Sequence, residues 1–123
     1  MNNIRFHYLY RDGSNYKNWA EVIFSNPDGL SLERIAKQLS ESFMEDGLFV
    51  AGQVRIPEVF LATEDQLTED DHCFHEYAEV TGTADAPTDL RHRSINEFLT
   101  EVVKESHRGW RAFDPRDRLS GRR

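Results

Sequence analysis

"IRFHYLYRDGSNYKNWAEVIFS", residues 4–25, decides the fold. Within 4–11, Ile4, Phe6, Tyr8 and Tyr10 share one parity, and Arg5, His7, Leu9 and Arg11 the other. A period of two with aromatic enrichment predicts a half-buried β-strand. "DGSN" supplies turn chemistry. The β-branched and aromatic run "WAEVIFS" (19–25) predicts a second strand. Together they read as an antiparallel hairpin whose loop, about seven residues, exceeds the usual two to five.

Outward from the hairpin, "SNPDG" (25–29) breaks the chain, and a helix is expected after it. Ser31 suits its N-cap. Leu32, Ile35, Ala36, Leu39 and Phe43 form an apolar stripe that must cover a sheet or another helix, and Gly47 is the expected stop. "LFVAG" (48–52) predicts a third strand, and "EVFLA" (58–62) an edge strand or extended segment behind Pro57. Residues 63–71 carry five acids and read as a solvated loop. "CFHEYAEVT" (73–81) predicts a further strand, and 82–89 a loop. Ser94 and Glu97 have the spacing of a capping box, which opens a second helix with Ile95, Phe98, Leu99, Val102 and Val103 on its apolar face. The order β-β-α-β-(β)-β-α predicts an α+β fold. It would be a two-layer domain, with an antiparallel sheet of about four to five strands and two helices on one face.

At 123 residues the chain supports one domain, expected over residues 1–104, with 105–123 as a basic arm. Its length needs no disulfide or metal to hold a core. A single cysteine, Cys73, permits no internal disulfide and suits a reducing compartment. No signal peptide and no apolar run of spanning length is visible, so a cytoplasmic setting is expected. Net charge is −7. Six arginines against three acids give the arm +3, which leaves −10 on residues 1–104. A field of that sign repels nucleic acid and anionic membrane. The arm complements an acidic surface of this chain or of a second copy.

Three stretches carry candidate chemistry. "YLYRDGSNYKNW" (8–19) interleaves aromatics with cations around a loop, and "HRGWRAFDPRDR" adds Trp110 and Phe113 between arginines. Exposed aromatics beside cations mark protein interfaces, and the same combination holds single-stranded nucleic acid. Tyr10, Arg11, Asn15, Tyr16, Lys17, Trp19, Trp110 and Phe113 are therefore the candidate interaction surface. One glycine, Gly13, makes no phosphate-binding loop.

The third stretch is "TEDDHCFHEY" (68–77). His72, Cys73, His75 and Glu76, with Asp70 or Asp71, have the donor types of a zinc or other divalent site. On a strand, however, parity separates them: His72, Phe74, Glu76, Ala78 and Val80 on one face, Cys73, His75, Tyr77 and Glu79 on the other. The run then closes no metal shell without ligands from elsewhere, such as His7 or His92. Strict alternation would also bury Glu76 beside Phe74, Ala78 and Val80. There it needs a cation, since an unpaired buried charge is costly, and Arg5, His7 and Arg11 are in reach. Cys73 has no paired base, and no serine sits in a nucleophile elbow.

"YLYRDGSNYKNW", "IPE" and "LTEDDHCFHEY" together resemble a family of small uncharacterised prokaryotic proteins over roughly residues 4–104. The resemblance implies a compact α+β domain in a prokaryotic cytoplasm and supplies no catalytic or binding residues.

The reading that follows is a non-enzymatic protein-interaction module, homo-oligomeric and in the first instance a dimer. It has no catalytic residue, no cofactor and no metal, and its protein partner is unidentified. His72, His75 and Glu76 form a possible polar site. The alternatives are a metal-binding protein or metal-assisted hydrolase built on residues 72–76, and, third, a single-stranded nucleic-acid binder.

Overall fold

β1 (Asn3–Arg11) pairs antiparallel with β2 (Lys17–Phe24) on one side and with β4 (His75–Thr83) on the other. The two-residue β3 (Leu48–Phe49) adds to β4, which gives the order β2-β1-β4-β3. Helices α1 (Leu32–Ser42) and α2 (Ile95–Arg108) and 3-10 turns at Glu45–Gly47 and Ala51–Val54 complete the regular structure among the described residues. The computed structural model describes residues 2–12, 15–60 and 72–115. The architecture is α+β, with a four-stranded antiparallel sheet and both helices on one face, as the periodicities predict.

The even residues of β1 explain that layering. Ile4, Phe6 and Tyr8 pack in one core with Val22 and Phe24 of β2, Ile35 and Leu39 of α1, and Ile95, Phe98, Leu99 and Val102 of α2. Phe6 is its aromatic centre, with rings of Tyr8, Phe43, Phe49, Tyr77 and Phe98 at centroid distances of 5.3–6.3 Å. Each fully buried apolar side chain contributes about 1.5–3 kcal/mol before entropy.

The helix starts follow their caps. Ser31 accepts from the Arg34 N–H at 3.1 Å. Ser94 and Glu97 close the capping box, with Glu97 N–H on Ser94 Oγ at 3.1 Å and Ser94 N–H on Glu97 Oε1 at 2.8 Å. Gly47 does not end α1. The helix stops at Ser42, Phe43 turns extended to enter the core, and Gly47 closes the following 3-10 turn at φ 76°. Leu32 stands in the exposed first turn rather than in the buried stripe.

Three further expectations give way. The "LFVAG" strand shortens to β3, because Ala51–Val54 coils into a 3-10 turn that sends Ala51 and Val54 into the core. Of the two alternatives for 58–62, the described part, Glu58–Phe60, is not a strand but a connecting segment; Tyr8 Oη donates to the Pro57 carbonyl and Asn18 Nδ2 to the Val59 carbonyl. Leu61, Ala62 and the acidic run 63–71 lie outside the described residues. The last strand begins at His75 and runs through Gly82 and Thr83, because those two residues still pair with Ile4 and Asn3. The hairpin loop is shorter than expected because β2 already begins at Lys17.

Candidate interaction surface

The odd residues of β1 and their partners make the sheet face that neither helix covers. β1 places Arg5, His7, Leu9 and Arg11 there, and the register sets them opposite Ile23, Glu21, Trp19 and Lys17 of β2. Trp19 is 60% exposed, and Tyr16, in the connecting loop, is 70% exposed. Leu9 is buried, with Trp19 on one flank and Glu76 of β4 on the other. The loop is held by its own polar groups. Asp12 N–H donates to the Tyr16 carbonyl, Tyr16 N–H donates to Asp12 Oδ1, and Asn15 takes a left-handed φ of 69°. That conformation is tolerated by asparagine better than by most residues. The Arg11 guanidinium donates to Asn15 Oδ1, so the loop is braced against β1.

Charge on this face is arranged in pairs. Arg5 contacts Glu21 at 3.3 Å and Asp85. Arg11 meets both carboxylate oxygens of Glu76, at 3.1 and 3.2 Å. The Glu76 hydrogen bond holds the Arg11 guanidinium above its ordinary pKa. Glu76 is therefore not turned toward the helices, as strict alternation would have it. The β1–β4 register slips between His7 and Tyr8, which face Glu79 and Tyr77 and leave Ala78 as an extra residue. A bulge of this kind reverses parity along the strand. Val80 then shares the core face with Tyr77 and His75, while Glu79 and Glu76 share the other.

His75 is fully buried. Its Nε2 accepts from the Val59 N–H at 2.9 Å, and its Nδ1 has no partner among the described residues. Burial, and then the neighbouring His72, push His75 down to about 4, so the ring is neutral at pH 7. His72 Nδ1 accepts from the Phe74 N–H at 3.0 Å, and Cys73 Sγ accepts from the Phe113 N–H at 3.3 Å. His72, His75 and Glu76 thus converge on no common point. Among the described residues no group of three or more His, Cys, Asp or Glu could hold a metal ion. Asp70 and Asp71 lie outside the described residues. His7 contacts Thr81 Oγ1 at 3.3 Å on the open face, away from His75.

The structure divides the predicted interaction residues. Arg11, Asn15, Tyr16, Lys17 and Trp19 gather at the hairpin. Tyr10 does not join them; it is fully buried, edge-on to Phe60 at 4.8 Å, and its hydroxyl donates to the His72 carbonyl. Its even parity with Phe6 and Tyr8 is the reason. Trp110 and Phe113 lie on the helix side of the sheet. Trp110 packs against Phe43 and Phe49 and donates from Nε1 to the Ser42 carbonyl at 3.1 Å, while Phe113 packs on Phe60.

Two polar clusters carried no sequence motif. Arg93 and Asp89 are both buried in the segment before α2. Nε and Nη2 of Arg93 grip the Asp89 carboxylate at 2.9 and 3.0 Å, and Nη1 and Nη2 reach the Val54 and Arg55 carbonyls. The guanidinium also lies over the Phe24 and Phe98 rings. Burial alone would raise the Asp89 carboxyl, but the Arg93 hydrogen bonds outweigh it and hold Asp89 below the usual carboxylate value. The second cluster lines a groove of about 600 Å³ containing Gln53, Arg55, Glu105, Arg108 and Arg111. Its cations are already matched: Arg108 and Arg111 to Glu105, Arg55 to Glu101. The hydrogen bond from Gln53, then Arg111, holds Glu105 below its ordinary value against the opposing effect of burial.

No protein-family model matches the chain, and no curated protein or solved structure matches it. Among the described residues, no helix is long and apolar enough to cross a membrane.

Proposed function

We propose that the chain is a non-enzymatic protein-interaction module that self-associates through the β1–β2 hairpin. One observation carries the reading. Trp19 and Tyr16, both largely exposed, stand with Arg11, Asn15 and Lys17 at one end of a sheet face that neither helix covers. Large aromatics flanked by cations are the composition of binding hot spots. The buried, lone Cys73 fits the prokaryotic cytoplasm this reading assumes. The metal-assisted alternative has less support, because His72 and His75 each commit a ring nitrogen to a backbone amide. The nucleic-acid reading runs against the charge of −7.

Light scattering of the full chain and of a Tyr16→Ala/Trp19→Ala variant tests the proposal. An oligomer that the double substitution converts to monomer supports it. A monomer at every concentration up to the millimolar range removes it.

A further inference from the structure

Resting on that reading, the backbone of β2 specifies how two copies meet. In an antiparallel ladder both backbone groups of a residue point to the same side, and successive residues alternate. Ile23 donates its N–H to Thr88 Oγ1 and accepts from the Thr88 N–H, and the Ser25 carbonyl accepts from the Ile95 N–H. The odd residues of β2 therefore turn their N–H and C=O away from β1. β2 is an edge of the sheet. Its far end is closed by Thr88 and Ile95, whereas the N–H and C=O of Trp19 and Glu21 have no partner among the described residues. A row of outward-facing backbone groups is a template for another strand.

We propose that two copies pair antiparallel, β2 to β2, about a two-fold axis at Trp19. The register follows from what the edge offers. Centred on Trp19, the pairing sets Trp19 against the partner's Trp19 and Lys17 against the partner's Glu21, and it engages all the outward-facing residues short of the Thr88 closure. Centred on Glu21, it opposes two carboxylates and drives Trp19 onto the partner's Ile23, whose backbone groups are taken. Centred on Lys17, it opposes two ammonium groups. Centred on Asn18, it leaves Glu21 facing the partner's Asn15, which sits in the left-handed turn rather than in a strand. Centred on Ala20, it sets Lys17 against the occupied Ile23. Only the Trp19 register joins opposite charges directly across the pair, where like charges are destabilising. A lysine on an edge strand usually deters pairing; in this register it meets a carboxylate. The two-fold axis also closes the assembly, since an isologous contact uses the same edge on both copies. The product is one continuous sheet of two joined halves, with the Trp19 side chains meeting on the face that no helix covers.

Sedimentation equilibrium on the full chain tests the register, with circular dichroism to check that each variant is folded. Glu21→Lys and Lys17→Glu each weaken association about tenfold or more, and the double swap Lys17→Glu/Glu21→Lys regains part of it, the remainder being lost because a lysine at position 21 also faces Arg5 of its own chain. Trp19→Pro abolishes pairing while the β1 ladder keeps its bonds, because the lost N–H faces outward. A crosslink gives an independent measure. In a hydrogen-bonded pair the Cα atoms lie about 5.5 Å apart, within disulfide range, so Trp19→Cys forms a covalent dimer on mild oxidation and Glu21→Cys does not. A dimer indifferent to all these changes overturns the register and leaves self-association standing. A monomeric wild-type chain overturns both.

Discussion

The Val59 amide donates to Nε2 of His75 across 2.9 Å, and that one bond decides the tautomer of a fully buried ring. With Nε2 accepting, the proton sits on Nδ1, which finds no partner among the described residues. Protonating the ring would break the Val59 bond and place a charge against Tyr8, Tyr10, Phe49 and Phe60. His75 is depressed to about 4, so between there and the ordinary histidine value the unfolded chain binds a proton that the fold does not. Stability is therefore full above pH 6.5 or so and falls as the pH drops toward 4, by about 3 kcal/mol over the window. Urea melts from pH 4 to 7 should show this slope, and His75→Phe should flatten it. An unchanged slope in the variant would assign the acid sensitivity elsewhere.

Arg93→Ala should be among the most damaging single substitutions. It leaves the Asp89 carboxylate buried without its cation and strips the Val54 and Arg55 carbonyls of their donors. Breaking a buried pair from one side costs about 3–5 kcal/mol. Arg93→Lys should recover only a small part, since an ammonium cannot grip both carboxylate oxygens and both carbonyls in one plane. Denaturant midpoints of the two variants check this; equal stability of Arg93→Lys and the parent chain would refute the bidentate account.

Trp110→Ala should cost about 2–4 kcal/mol, because it opens a void beside Phe43 and Phe49 and leaves the Ser42 carbonyl without its donor. Cutting the chain after residue 104 would remove the same ring together with Glu105. Loss of association in such a truncation would thus report damage to the core as readily as loss of an interface. Thermal melts of Trp110→Ala against Arg111→Ala separate the two: the first should lower Tm by several degrees and the second by far less.

Gly47→Ala should destabilise by about 1 kcal/mol or more. The residue sits at φ 76°, and a Cβ there would meet the Tyr77 carbonyl oxygen at 3.3 Å. A melting temperature equal to the parent's would mean that the turn can rearrange without cost.

The strands of the hairpin and both helices were legible because each declares itself through local spacing: alternation in residues 4–11, a heptad-like stripe after Ser31, a capping box at Ser94. The Arg93 clasp was not legible. Arg93 lies in a polar stretch with no periodicity, and its burial depends on the Phe24 ring and the Val54 and Arg55 carbonyls, far away in sequence, as well as on the nearby Phe98 ring. The same limit explains Tyr10, counted among surface aromatics although its parity with Phe6 and Tyr8 argued for the core. Of the candidate surface, the cluster from Arg11 to Trp19 could be read because it is nearly contiguous. Its separation from Trp110 and Phe113 depends on which side of the sheet the chain crosses after α2, and no local pattern encodes that.

Ala78 sets the reading frame of β4. The segment from Val80 onward and the segment ending at Tyr77 are each in phase with β1, and they are out of phase with one another by this one residue. Deleting Ala78 alone would merge them into an unbroken strand with Tyr77 and Val80 still facing the helices. Deleting Gly82 instead would leave that mismatch in place and shift the strand's end against Ile4. A one-residue change of length in β4 is thus absorbed most readily at this position, where the phase already breaks.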